Sequence, residues 1–261
     1  MNDLPVALSI AGSDSGGGAG VQADLLTFAA NGVFGTTAIT CLTAQNPDGV
    51  SGVVALAPEF VAEQALQVFR FFDVRAVKTG MLFNAAIIGA VAGLLRENRG
   101  VPAVVDPVMV ATSGAALLQP EAVAAVVAQL FPLAALVTPN LDETAVLLGR
   151  RPVDEAEMGV AASELARRFG VPFLLKGGHL GGDELVDVLA QPDGRSERWV
   201  GARIAGVDTH GSGCTLSSAI AAQLALGRTL VEAIEEGRAY LRRGLERGVA
   251  LRGRKFIAHL V

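Results

Sequence analysis

The sequence predicts an α/β protein of one domain, residues 1–261, in which a parallel sheet is covered by helices on both faces. Short apolar runs alternate with segments of helical periodicity, the pattern of strands returned by crossover helices. Each run ends in polar or glycine residues, as strands do where their carboxyl ends line a crevice. A length of 261 residues is ample for one large core, and no repeat, low-complexity tract or linker divides it.

Val6 to Ala11 reads as the first strand, Gly12-Ser13-Asp14-Ser15-Gly16-Gly17-Gly18-Ala19-Gly20 as a loop, and a helix begins near Val21. The loop fails the dinucleotide fingerprint because Val21 stands where its last glycine belongs, and no Gly-Lys-Ser/Thr closes a Walker loop. An NAD-linked oxidoreductase is excluded on that ground. Two readings of the loop remain, close backbone approach to a small ligand and a flexible turn; the entropy cost of so many glycines favours the ligand. Thr36 to Thr43 is a β-branched strand, Ala44 to Gly49 a turn, and Val50 to Leu56 a second strand. Pro58 opens a helix whose Val61, Ala65, Val68 and Phe72 recur at core spacing.

Four further strands follow, each with a polar tail. Arg75 to Lys78 leads to Thr79-Gly80-Met81, and Ala103 to Val105 to Asp106-Pro107-Val108. Leu133 to Val137 leads to Thr138-Pro139-Asn140, and Phe173 to Leu175 to Lys176-Gly177-Gly178. Residues Met109 to Leu118 are expected to form a mobile cover. Thr215 to Leu226 is a helix of small residues, and Leu230, Ile234, Leu241 and Leu245 form a stripe through the Arg-rich tail.

Composition narrows the function. A net charge of −5 argues against a general nucleic-acid binder, and the arginines from Arg238 to Lys255, interrupted by glutamates, read as a solvated helix face. Hydrophobic residues make up 51% of the chain, but no run approaches the roughly 20 apolar residues of a membrane span. The chain opens on an apparent strand without a charged leader, so a soluble cytoplasmic protein is expected. Its two cysteines form no metal-spaced pair and its three histidines are scattered.

The chemistry concentrates in Val207-Asp208-Thr209-His210-Gly211-Ser212-Gly213-Cys214. Glycines that expose consecutive N–H groups before a helix make a site for phosphate, and the field of the helix end is expected to lower the Cys214 pKa from about 8.5. The competing reading is an ordinary start capped by Ser212 with a buried cysteine. Asp106 and Glu143 suit magnesium held with phosphates and water, or else a loop cap and a first-turn acid. Lys176, one of three lysines against eighteen arginines, reads as a phosphate contact or a snorkelling surface lysine. Gln45, just past a strand end, reads as an amide for a heterocycle or a solvated turn residue. Together these are the parts of phosphoryl transfer, which works by positioning and electrostatic stabilisation.

The segments AGSDSGGGAGVQADLLTF, LTAQNPDGV, VKTGML, VDPVMVATSG, VTPNLDE, LLKGGHL and DTHGSGCTLSSAIA resemble the hydroxymethylpyrimidine and phosphomethylpyrimidine kinase family of thiamine biosynthesis, within the ribokinase-like superfamily. The resemblance implies a three-layer αβα ribokinase-like fold with a mostly parallel central sheet, commonly a homodimer. It implies phosphorylation of the pyrimidine hydroxymethyl group with ATP and magnesium, then a second transfer onto the monophosphate. Residue by residue it implies an anion hole at Gly211, Ser212 and Gly213, and Cys214 as base where most ribokinase-like enzymes have aspartate. Gly12, Asp24, Gln45, Met81 and Val108 would line the pyrimidine pocket. Thr138, Asn140, Lys176 and Thr209 would serve ATP, and Asp106 and Glu143 the magnesium. Asn46-Pro47-Asp48 lacks the family's usual threonine after the asparagine. The rival readings are a pyridoxal or pyridoxine kinase, which shares the cysteine, and a non-catalytic vitamin-precursor binder.

Overall fold

The computed structural model describes residues 3–109, 120–178 and 180–260. Nine of the described strands form one sheet: β1 (Val6–Asp14), β2 (Phe34–Asn46), β3 (Gly49–Ala55), β4 (Val74–Thr79), β5 (Ala103–Val105), β6 (Leu136–Val137), β7 (Phe173–Lys176), β8 (Glu184–Ala190) and β9 (Ser196–Ala202). Their order is β3-β2-β1-β4-β5-β6-β7-β8-β9. The pairs from β2 through β7 are parallel, while β3, β8 and β9 join antiparallel at the two edges. The expected parallel sheet is therefore its centre.

Successive residues of the central strands feed opposite cores, as the two-residue repeat of a strand requires. Leu8, Val77, Val105 and Leu175 pack on one face with α2 (Pro58–Phe71), α3 (Ala85–Glu97), α4 (Pro120–Ala125), α5 (Leu141–Leu148) and α6 (Glu155–Phe169). Ala7, Ala76, Val104 and Leu174 pack on the other with α1 (Gly20–Ala30), α7 (Ser212–Ala225) and α8 (Leu230–Arg247). The alanines of β1 and β4 let α7 lie close. Thr215 to Gln223 and Ala225 are all buried, so α7 is an interior helix. Parallel pairing puts the carboxyl ends of β1, β4, β5, β6 and β7 at one edge, and there the polar tails collect.

Several boundaries differ from those expected. The strand β2 runs through Asn46, with Gln45 paired to Val50, so the turn is only Pro47-Asp48 and Gln45 lies within a strand. Leu133 belongs to a 3-10 turn, Phe131–Leu133, whose Pro132 cannot donate to a ladder, and β6 keeps only two residues. The helix α7 begins at Ser212, three residues before the expected Thr215. The Arg-rich helix face ends at Arg247, after which β10 (Val249–Leu251) and β11 (Arg254–Phe256) form a hairpin. Of the expected cover, Met109 is buried at 2% exposure and the rest lies outside the described residues.

Candidate active site

The site is built on the start of α7. Gly211 occupies the N-cap position in the left-handed region, φ 78°, and a Cβ there would collide with the Gly18 carbonyl, so the residue must be glycine. Ser212 is the first helical residue and makes no cap, which rules out the expected alternative of a Ser212-capped start. Its N–H goes to the Thr209 carbonyl, and Thr215 N to Gly211 O makes the first full helical bond. The N–H groups of Gly213 and Cys214 lie between them and point out of the helix end. A Cβ on Gly213 would stand 3.3 Å from Lys176 Nζ and 3.6 Å from Asp106 Oδ2, so this end faces the Lys176–Asp106 pair directly.

That pair joins the tails of β7 and β5. Lys176 Nζ donates to Asp106 Oδ1 at 3.1 Å, and Asp106 also accepts from Thr138 Oγ1 and Ser217 Oγ. The Lys176 side chain is 14% exposed, enough to meet a ligand and too little for a snorkelling surface lysine. Burial pulls its pKa down, but Asp106 and Glu143 pull it up further and keep it charged. Glu143 completes a capping box on α5: its carboxylate accepts from Asn140 N, and Asn140 Oδ1 accepts from Asp142 and Glu143 N. Met109 N is its other donor, at 3.2 Å. Burial lifts the Glu143 carboxyl well above the usual range, opposed by Lys176 and reinforced by Asp106.

Three sequence expectations need correction here. The Cys214 pKa is raised, because the atoms crowding the thiol exclude water and outweigh the nearby Lys78 ammonium and the Gly20 N–H. Asp24 has no exposed surface and does not line the pocket. Its carboxylate accepts from Lys78 Nζ at 2.8 Å on both oxygens, and from Ser9 and Ser218 hydroxyls. Thr138 is likewise fully buried, its hydroxyl turned to Asp106, so it offers no surface for the expected direct contact with ATP.

The opposite wall comes from β1, β2 and the tail of β4. Gly12 lies against the Cys41 sulfur and Met81 Cβ, and Thr40 Oγ1 holds the Met81 carbonyl at 2.7 Å. Gln45 lies 3.3 Å from His210 Nε2, which also contacts Asp14 Oδ2 at 3.1 Å. Val108 has φ 41°, a strained value for a β-branched residue. Thr209 is exposed beside the helix start.

Lys78, Asp14, His210 and Ser217 have roles that sequence reasoning missed. A signal for Lys78 was present: it ends an apolar strand as Lys176 does, in a chain with three lysines. Among the described residues no three His, Cys, Asp or Glu side chains are grouped to hold a metal by themselves.

The phosphomethylpyrimidine kinase family profile matches residues 14–258. The hydroxymethylpyrimidine/phosphomethylpyrimidine kinase of Rhizobium meliloti is 52% identical over 237 residues, 90% of this chain and 88% of that protein. The solved ADP complex of Bacillus subtilis pyridoxal kinase superposes with a TM-score of 0.90 at 34% identity, over 98% of both chains. The solved phosphomethylpyrimidine kinase of Clostridium difficile gives a TM-score of 0.80 at 39% identity, over 91% of this chain and 98% of that one.

Breaking the buried Asp24–Lys78 pair should show in stability. Lys78→Met leaves Asp24 as an uncompensated buried charge and should cost about 3–5 kcal/mol in urea unfolding. Adding Asp24→Asn should recover much of that loss; a double variant no more stable than the single one would show that the pair is not the seat of the effect.

Proposed function

The chain belongs to the phosphomethylpyrimidine kinase family, and from that premise we propose that it phosphorylates 4-amino-5-hydroxymethyl-2-methylpyrimidine and then its monophosphate, using ATP, in thiamine biosynthesis. The observation that carries the reading is the uncapped end of α7, with Cys214 in its first turn, facing Lys176 and Asp106. A helix pole and a lysine converge where a phosphoryl group would gather negative charge. Higher identity to the pyrimidine kinase than to the pyridoxal kinase supports pyrimidine as the main substrate. The ADP held by the pyridoxal kinase supports ATP as donor.

In the first transfer the substrate hydroxyl oxygen bonds to the γ-phosphorus, the bond from that phosphorus to the departing ADP oxygen breaks, and the hydroxyl proton passes to the Cys214 thiolate. Gly213 and Cys214 N–H groups and Lys176 stabilise the transferring group. Asn140 Oδ1 is committed to α5, so its Nδ2 is the group that donates to ATP phosphate, and the exposed Thr209 before α7 is a second contact for ATP. Gly12, Gln45, Met81 and the strained backbone at Val108 hold the pyrimidine.

The Asp106 and Glu143 carboxylates fit magnesium in one way. Both are 3% exposed or less and their oxygens already accept protein donors, which suits an ion held through water with phosphate oxygens completing its shell. Magnesium bound there would neutralise phosphate charge.

We also propose a cytoplasmic homodimer. Among the described residues no helix is long and apolar enough to cross a membrane. The edge strand β3 pairs its Val54 with Leu42 of β2, and the two are 64% and 46% exposed, an apolar face suited to a second copy.

Three outcomes test this function. A coupled assay should show ADP release with hydroxymethylpyrimidine and its monophosphate, and less with pyridoxal; binding without turnover would support a vitamin-precursor binder instead. Cys214→Ser should slow the first transfer by roughly 10²- to 10⁴-fold and the second distinctly less, because the second acceptor is a phosphate oxygen already ionised. Since the thiol pKa is raised, the wild-type first step should keep climbing with pH beyond the point where an ordinary thiol has ionised, and the variant should not. Equal losses in both single-turnover rates would make Cys214 a part of the anion hole and not the base. In sedimentation the protein should run at twice its chain mass, and Val54→Asp at the mass of one chain; an unchanged variant would move the interface elsewhere.

A further inference from the structure

Asp14, His210 and Gln45 meet where the loop before α7 reaches the β1–β2 wall. His210 Nε2 lies 3.1 Å from Asp14 Oδ2 and 3.3 Å from the Gln45 side-chain amide. The imidazole is held firmly. His210 N donates to Asp208 Oδ1 at 2.9 Å, and Gly18 approaches so near that a Cβ there would stand 2.9 Å from the ring Cδ2.

Asp14 is an ionised acceptor. Burial pushes its carboxyl up, but the hydrogen bonds from His210, Gly16 N and Ala19 N bring it below the ordinary value. A carboxylate only accepts, so His210 carries a proton on Nε2 and has no lone pair there for a second donor. The Gln45 end that faces the ring must then be the carbonyl oxygen. With the nitrogen in that place, two donors would oppose each other. Thr43 Oγ1 would also have to give its single proton both to Ser13 O at 2.8 Å and to Gln45 at 3.1 Å. Turning the amide end for end removes both conflicts. Gln45 Nε2 donates to Thr43 Oγ1, which donates on to Ser13 O, and His210 Nε2–H is shared between Asp14 and Gln45 Oε1.

We infer that His210 is a positioning residue: through the Asp14–His210–Gln45 contact it fixes which end of the Gln45 amide faces which way, and so sets the donor and acceptor offered to the substrate ring. One amide N–H and one oxygen lone pair remain for the ligand. That pair matches an edge with a ring nitrogen beside an exocyclic amine, the edge of an aminopyrimidine. A pyridine ring without that adjacent amine satisfies only half of it. The identity of the ligand rests on the pyrimidine-kinase reading, whereas the placement of the proton does not.

Two measurements test it. Long-range ¹⁵N NMR of the ligand-free protein should find the proton on His210 Nε2; a neutral ring protonated only on Nδ1 overturns the inference. Kinetically, His210→Ala should raise KM for hydroxymethylpyrimidine about tenfold, the worth of one hydrogen bond, while KM for ATP stays within about twofold and kcat changes little. In a Gln45→Ala background the same substitution should add almost nothing, because its effect passes through Gln45. His210→Gln, which restores an N–H near the Nε2 position, should recover most of the affinity. Additive losses, or a kcat loss with KM unchanged, overturn the positioning role. Should the wild type fail to phosphorylate hydroxymethylpyrimidine at all, the functional reading fails while the NMR result still decides the proton.

Discussion

The helix α7 runs through the interior, buried from Thr215 through Gln223, and its half-exposed start at Gly211 to Cys214 opens on the cleft with no side chain capping it. Its unpaired N–H groups and partial positive charge are offered to whatever occupies the cleft, water or an anion. The surrounding structure serves this constraint. The left-handed turn at Gly211 seats the helix start on the Gly18 carbonyl of the β1–α1 loop, and parallel pairing brings the tails of β5 and β7 to face it. A side chain at Gly211 would push the helix off its seat, and one at Gly213 would crowd Lys176.

The two lysines at strand ends are handled differently, and the difference separates scaffold from site. Lys78 and Asp24 are both sealed at 0% side-chain exposure, and Ser9 and Ser218 satisfy the remaining carboxylate oxygens' capacity. Such a pair is closed to exchange, and it acts on Cys214 in both senses, the Lys78 ammonium lowering the thiol pKa and the Asp24 carboxylate raising it. Lys176 shares Asp106 with Thr138 and Ser217 and keeps part of its surface open, so its ammonium could leave the carboxylate without stranding it.

Cys214 shows where a local rule stopped being enough. A helix N-terminus lowers a thiol pKa by its field, and the local sequence gives no measure of how deeply the thiol is buried. In the folded chain burial pushes the thiol up, the Asp24 and Asp106 carboxylates add to it, and the Lys78 ammonium and Gly20 N–H do not offset them. Asp24 departs for a related reason: the resemblance implies a pocket residue, but the helical turn of α1 aims it inward to Lys78. The strands β8 and β9 were not recognised, since β9 is an exposed edge strand with charged Glu197 and Arg198 and lacks the apolar run that marked the others.

The sequence by itself determined the central parallel strands, the helix cover, the glycine loop in its Ser15 to Ala19 part, since β1 runs through Asp14 and α1 starts at Gly20, and the cluster formed by Gly213, Cys214, Asp106 and Lys176, because strand periodicity and polar strand tails are written in consecutive residues. Tertiary structure alone decided the sealed Asp24–Lys78 pair, the raised thiol pKa, the antiparallel edges and the Asp14–His210–Gln45 contact. Asp14 and His210 lie 196 residues apart, and Lys78 and Asp24 54 apart. The energy of such contacts depends on who is brought beside whom and how much water is excluded, which no local pattern records.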